Sequence, residues 1–312
     1  MRIVLLGATG FLGHHLLPAL TSAGHLCVVL TRYPPGCREL AVTPGVELRQ
    51  ADIFDQDQLS THFAGAAAVF NMVGILNEAG RKGKGFTRAH VDLVETAISA
   101  CTRAGVERFI QVSALNAGKG SSHYLVSKGR GEDLLRAAKG LDVTIVQPSV
   151  IFGEGDAFFN RFAGLLKFAP FLPLACPEAK LQPVWVGDVV AAMTLALEDP
   201  ETFGKTLPMV GPEVYTLREL VEYTAIAAGL RRKIIGLPDV LSRLQGFLMD
   251  FVPGKPFSSD NYRSLQIENT SSSNGLQRFG IHPQSLKSIV PGYLAGTPHQ
   301  HRLDAYRKRA GS

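Results

Sequence analysis

The chain has 312 residues, 46% of them hydrophobic and 19% charged, with a formal net charge of +5. That length suits one large α/β domain or a nucleotide domain with a smaller lobe, and no apolar run is long enough to span a bilayer. The excess charge is local, at Arg231-Arg232-Lys233 and in a tail with Arg302, Arg307, Lys308 and Arg309. Without a basic stripe or an aromatic-interleaved patch, it argues against nucleic-acid binding.

Ile3 to Leu6 are an unbroken apolar run, the pattern of a strand buried on both faces of a parallel sheet. Glycines break the run at once, which is unlike a signal peptide. Gly7, Gly10 and Gly13 follow at three-residue spacing, and Phe11 to Leu20 reads as a helix. Strand, glycine turn and helix together make a phosphate site. Glycine lets the backbone pass close under the ligand, and the helix N-terminus offers free N–H groups and a positive dipole end to a pyrophosphate. Thr9 adds a hydroxyl donor. A dinucleotide cofactor is expected here.

Leu26 to Leu30 is a second strand, and the residue type after it sets cofactor preference. An acidic residue there would accept from a ribose 2′-hydroxyl. This chain has Thr31-Arg32-Tyr33, then Arg38, with no carboxylate until Glu39. An arginine fork binds a 2′-phosphate that a carboxylate would repel, so NADP(H) is favoured over NAD(H). Val46 to Gln50 is a third strand. Asp52 after it either meets an adenine ring or caps the helix that begins near Asp55. Ala67 to Val73 is a fourth strand ending in Gly74, and the polar stretch Asn77 to Gly85 reads as a mobile rim loop. A helix from Phe86 to Ala104 leads to a fifth strand, Arg108 to Val112. Ser113 stands at its C-terminal end, the sheet edge where ligands bind.

Tyr124 and Lys128 are four residues apart and share one face of the next helix. An ammonium near a phenol favours the phenolate and lowers its pKa from about 10, which would make Tyr124 a general acid–base. Asp142 to Val146 is a sixth strand, and Phe152 to Asp156 crosses into a second lobe. In that lobe Phe158 to Phe168 reads as a helix with core-facing phenylalanines, and Pro170 to Pro177 as a proline-broken loop. Val184 to Val186 reads as a short strand, with Asp188 the N-cap of a helix to Leu197. Leu217 to Ala228 is a helix capped by Thr216. Residues 231–257 carry the basic triplet, a strand at Ile234 to Leu237, and a helix after Pro238 with Leu241, Leu244, Leu248 and Phe251 on one stripe. The stripe either packs on the lobe, or forms a lid, or touches a membrane or a partner protein. The four scattered cysteines, Cys27, Cys37, Cys101 and Cys176, fit free thiols in a reducing cytosol rather than a metal site, and His299 and His301 read as a solvated tail pair.

The motifs GATGFLG at 7–13, VSALNA at 112–117 and YLVSK at 124–128 resemble the short-chain dehydrogenase/reductase superfamily, in its extended or atypical branch. More narrowly, QPSVIFG at 147–153, QPVWVGDV at 182–189 and GPEVYTLREL at 211–220 are similar to the reductase-like accessory subunit family of respiratory complex I and its bacterial relatives. The resemblance implies an α/β fold with a doubly wound parallel Rossmann sheet at 1–152 and a small C-terminal α/β substrate lobe, mainly 153–312. It implies that Gly7, Thr9, Gly10, Phe11, Leu12 and Gly13 bind pyrophosphate. Arg32 would meet the adenosine side, Asp52 and Ile53 adenine, and Val73 and Gly74 the ribose. Tyr124 and Lys128 would form the catalytic pair, and Pro148, Ser149, Val150 and Ile151 would line the nicotinamide. Two places depart from the family pattern, one of them three residues long. Ala114, Leu115 and Asn116 stand where a catalytic hydroxyl is usual, leaving Ser113 as helper, and His90 stands where an asparagine is expected. These features imply an NADP(H)-dependent oxidoreductase, cytoplasmic or peripheral at the inner face of a membrane, acting on an apolar carbonyl, a quinone-related or a sugar-like substrate. The alternative is a non-catalytic NADP(H)-binding scaffold of a respiratory or quinone-synthesis complex.

Overall fold

The computed structural model describes residues 1–168 and 170–294; His299, His301 and the basic tail lie outside the described residues. Seven parallel strands form the central sheet: β1 (Arg2–Leu6), β2 (Leu26–Thr31), β3 (Val46–Gln50), β4 (Ala68–Asn71), β5 (Arg108–Val112), β6 (Asp142–Pro148) and β7 (Lys205–Met209). Their spatial order is β7-β6-β5-β4-β1-β2-β3, so the order reverses between β1 and β4. That reversal opens a crevice outside the carboxyl ends of the strands. Crossover connections put helices on both faces, which is why β1 is apolar from its second residue on and Ile3 to Leu6 are fully buried.

The longer helices are α1 (Phe11–Ser22), α2 (Gln56–Phe63), α3 (Leu93–Ala104), α4 (His123–Ala137), α5 (Ala157–Phe168), α6 (Val186–Glu198), α7 (Leu217–Ala227), α8 (Asp239–Met249), α9 (Ser259–Ser264) and α10 (Leu286–Leu294), and single helical turns lie at Arg38–Ala41 and Lys84–Thr87. One core packs Leu16 and Leu20 of α1 with Val189 and Met193 of α6 against Ile3 and Leu5. The opposite core packs Leu59, Phe63, Val94, Ala97 and Leu135 against Val4 and Leu6. A third joins Phe152, Phe159 and Leu166 to Leu217, Leu220 and Val221, and is the core of the lobe.

The division at residue 152 is crossed by α6 and β7, which belong to the sheet and its core. Pro208 interrupts the strand pattern of β7 in the sequence. A proline is tolerated there because β7 is an edge strand with one unpaired side. The stretch read as a proline-broken loop contains a strand, Phe171–Leu174, paired in parallel with Lys233–Gly236. Phe158, Phe159 and Phe162 stack edge to face in the lobe core, yet Phe168 on the same helix is 92% exposed. Asp188 lies inside the first turn of α6, not at its cap. Its carboxylate accepts instead from Gln284 N at 2.8 Å, tying a later loop to the helix. Thr216 does cap α7, in a capping box with Glu219.

Candidate active site

The glycine turn does three different things. Gly7 has φ +79°, and a Cβ there would lie 2.8 Å from Val73 N, so the turns after β1 and β4 touch backbone to backbone. A Cβ on Gly13 would lie 2.1 Å from Ala8 O, because α1 packs directly on the turn. Gly10 is exposed and extended, and the direction of its Cβ is open except for Gly7 O at 3.4 Å. Gly10 is also the N-cap of α1, with no side chain capping it. The N–H groups of the first turn are therefore left for an external acceptor. Thr9 and Phe11 flank the opening half-buried, whereas the Leu12 side chain belongs to the core and only its backbone faces the turn. This cradle, which a side chain at position 10 would fill, fits a pyrophosphate.

Around the cradle the sheet edge collects the other expected residues. Arg32 is exposed past β2 and makes no hydrogen bond or ion pair among the described residues, while Glu39 faces His14 at 3.7 Å. Asp55, not Asp52, caps α2, accepting from Asp57 N and Gln58 N. Asp52 is exposed and accepts from Phe54 N at 3.0 Å, with Ile53 half-buried beside it. Val73 N donates to Asn71 Oδ1 at 3.1 Å. A Cβ on Gly74 would lie 3.5 Å from Lys128 Nζ, so the ends of β4 and α4 meet.

At the end of β5, Ser113 N donates to Val146 O at 2.7 Å. Its hydroxyl is buried, 5% exposed, and has no partner among the described residues. An orphaned buried hydroxyl is costly, and that cost is relieved only by a ligand group or water that bonds it. Lys128 Nζ donates to Val112 O at 3.1 Å, one residue before Ser113. Burial lowers the Lys128 pKa to about 8, partly opposed by Glu132. One turn earlier, Tyr124 packs edge-on against His90 and Phe86, with ring centroids 5.6 and 6.0 Å away. Burial pushes its phenol up to about 12. This corrects the expectation that Lys128 would draw it down: the ammonium is engaged by a carbonyl and is itself desolvated, so burial decides both groups.

His90 sits in a π-helical turn, Arg88–Asp92, and is buried. Ile75 N donates to its Nε2 at 3.4 Å, so Nδ1 carries the proton and donates to Ser127 Oγ at 2.9 Å; Ser127 in turn donates to Tyr124 O. Desolvation, with the Lys128 charge nearby, lowers the His90 pKa to about 2, so it stays neutral. It thus anchors α4 in the place of the family's asparagine.

Other members of the expected set are placed differently. The Ser149 hydroxyl is committed to Asn269, donating to its side-chain Oδ1, which removes it as a free donor to a nicotinamide. Pro148 is buried, and Val150 and Ile151 are half-buried on the crossover, where Ile151 pairs with Val184. Asn116 adopts φ 61° and donates to Glu268 O, so it cannot replace a substrate-polarising hydroxyl. The rim loop is tied down by Glu78, which accepts from Gly83 N and Gly85 N, and by Lys255, which donates to Gly80 O. One residue escaped the sequence reading altogether. Asp260 of α9 accepts from His123 N at 2.7 Å and Tyr124 N at 3.1 Å, so the lobe caps the helix that carries the tyrosine. No local pattern relates positions 136 and 137 residues apart. Beside this cap lies a cavity of about 370 Å³, lined by Arg81, Phe86, His123, Arg243, Phe247 and Tyr262 among others.

A family described as NAD(P)H-binding matches residues 7–157. The mitochondrial NADH dehydrogenase (ubiquinone) 1 alpha subcomplex subunit 9 of Mus musculus is 32% identical over 301 residues, covering 91% of this chain and 77% of that protein. The ceramide reductase of Caulobacter vibrioides is 32% identical over 252 residues, covering 80% and 77%. In fold, the chain superposes on a dTDP-glucose 4,6-dehydratase of Streptomyces venezuelae with a TM-score of 0.74, at 20% identity and 97% coverage of both chains. The fold, the glycine cradle and these relatives agree: the chain belongs to the NAD(P)-binding short-chain dehydrogenase/reductase superfamily, in the atypical branch that holds the complex I subunit 9 family.

Proposed function

We propose that the protein is an NADP(H)-dependent reductase of an apolar carbonyl substrate. The observation that carries this reading is the orphaned hydroxyl of Ser113 beside the Tyr124–Lys128 helix face, at the crevice edge of the sheet. The nicotinamide, when bound, supplies hydride. Tyr124, with its phenol at about 12, is protonated at neutral pH and so acts as the acid that gives a proton to the carbonyl oxygen. Ser113 donates its hydroxyl hydrogen to the same oxygen and thereby gains its missing partner. Lys128 holds the ribose side of the cofactor and keeps positive charge near the tyrosine. Arg32, exposed past β2 and without a partner among the described residues, meets a 2′-phosphate and selects NADPH. A ceramide reductase among the relatives supports an apolar carbonyl over a sugar nucleotide.

A second reading has its own support. Ala114 and Leu115 are buried and apolar and Asn116 is engaged elsewhere, so the position of the usual hydroxyl is empty of chemistry. Together with the complex I subunits among the relatives, this supports an NADP(H)-holding scaffold within a protein assembly. Tyr124→Phe separates the two. It keeps the ring but removes the proton, so NADPH oxidation with quinones and long-chain ketones should fall roughly 10²–10⁴-fold with NADPH affinity unchanged. Turnover that survives the substitution rules out Tyr124 as the acid, and absence of turnover by the native protein across the panel favours the scaffold.

A further inference from the structure

Helix α8 is mounted with its apolar side outward. Its inward face is Ser242 and Gly246, both buried. Cys176 N donates to Ser242 Oγ at 3.0 Å, and a Cβ on Gly246 would lie 3.3 Å from Ser258 O, so the helix backbone is pressed onto the lobe through small residues. The outward face is Val240, Leu241, Leu244, Phe247, Leu248 and, past the helix end, Phe251, which are 77, 45, 47, 47, 55 and 66% exposed. The expectation that this stripe packs on the lobe is therefore reversed.

The apolar surface continues beyond the helix. Gln245 of α8 donates to Pro173 O, in the strand that begins at Phe171 and pairs with Lys233–Gly236. Phe171 and Ile235 are 54 and 42% exposed there, and Phe168 lies just upstream. The polar groups around the patch are mostly cationic. Lys167, Arg231, Arg232, Lys233 and Arg243 are all exposed. The neighbouring acids are engaged: Asp250 faces Arg81 at 3.5 Å, and Asp239 accepts from Tyr262 Oη at 2.8 Å. Arg81 also lies over the Phe247 and Phe251 rings, 5.1 and 4.9 Å from their centroids.

We propose that this face seats the protein on an anionic lipid bilayer, with the α8 stripe, Phe168 and Phe171 in the acyl boundary and the basic residues at the headgroups. The outward stripe offers no hydrogen-bonding side chain, whereas protein interfaces carry about one hydrogen bond per 100–200 Å². Apolar residues beside Lys and Arg are the combination that an anionic membrane surface takes. No helix among the described residues is long and apolar enough to cross a membrane, so the association is peripheral. The cavity beside the Asp260 cap, lined by Phe86 and His123, shares Phe247 and Arg243 with this face. The seating itself does not rest on the reductase reading.

Vesicle sedimentation of the full chain tests the proposal. The protein should sediment with vesicles of phosphatidylcholine mixed with phosphatidylglycerol, and far less with phosphatidylcholine alone or at high salt. Leu244→Ser with Leu248→Ser, and separately Arg231→Glu with Lys233→Glu, should each lower partitioning roughly tenfold or more. NADPH binding and melting temperature report that these surface variants remain folded. Absence of sedimentation with anionic vesicles, or sedimentation that both variants keep, overturns the proposal. So does a native dimer that the serine variant dissociates while vesicles capture neither form, because the stripe would then be a self-association face.

Discussion

Lys128 is a cation held where burial works against it. Its pKa is about 8 in the folded protein against an ordinary 10.5, so between those values the unfolded chain binds more protons than the folded one. Stability therefore rises with pH across that window, and the charge is a liability below it. Lys128→Met should raise the urea midpoint of the protein at neutral pH, and the gap to the native protein should close as pH climbs from about 8 to 10.5. On the proposed reading the same substitution should weaken NADPH binding, because it removes the lysine assigned to the ribose. A methionine variant that is less stable at neutral pH would show that the bond to Val112 O outweighs the desolvation. Ser113 has a related character: among the described residues its buried hydroxyl lacks a partner, which leaves it free to bond a ligand group or water.

At the scale of elements, α4 is the piece that joins sheet, lobe and chemistry. Its Ser122 cap accepts from Leu125 N, and Asp260 takes the two N–H groups before it. A carboxylate at a helix N-terminus also meets the positive end of the dipole. Asp260→Ala leaves both N–H groups unanswered and should cost about 1–3 kcal/mol in stability. Because it frees the turn that carries Tyr124, it should lower kcat more than it weakens NADPH, a split measurable by steady-state kinetics beside cofactor titration. Equal losses in both would mean that Asp260 only holds the fold. These elements also mark what the sequence made readable. Buried strands such as Ile3 to Leu6 and the glycine turn depend on neighbours within a few residues, so their pattern is local and legible in the sequence. The outward mounting of α8 was not readable, since a stripe of Leu and Phe has the same period whichever way it faces. Asp260 was invisible because it acts on residues more than a hundred positions away. Tyr124 and Lys128 were found by their spacing, but their protonation depends on burial, which spacing does not report.

Across the whole molecule, the candidate cofactor site is where separate stretches of chain lean on one another. The Gly7 turn touches Val73, Gly74 reaches Lys128, Lys128 holds Val112, and Gly153 of the crossover lies beside Phe11. A ligand bridging these stretches binds the folded state and not the unfolded chain, so it stabilises by mass action. At a hundredfold excess over Kd that is about 2.7 kcal/mol, and in a chain of 312 residues each kcal/mol moves Tm by roughly 1.5 °C. Saturating NADPH should therefore raise Tm by about 4 °C. NADH at the same concentration should raise it less, because it has no 2′-phosphate for Arg32, and Arg32→Ala should bring the two shifts together. Gly10→Val makes the complementary case. Gly10 has φ −92° and ψ 177°, a conformation open to any residue, and its Cβ direction is clear of the protein. Valine should thus leave the resting Tm nearly unchanged while abolishing the NADPH shift, since its side chain occupies the phosphate cradle. Thermal melts of native protein, Arg32→Ala and Gly10→Val with each nucleotide read all of this in one series. Equal NADH and NADPH shifts in the native protein would refute the role of Arg32, and an NADPH shift that persists in Gly10→Val would move the cofactor away from the glycine turn altogether.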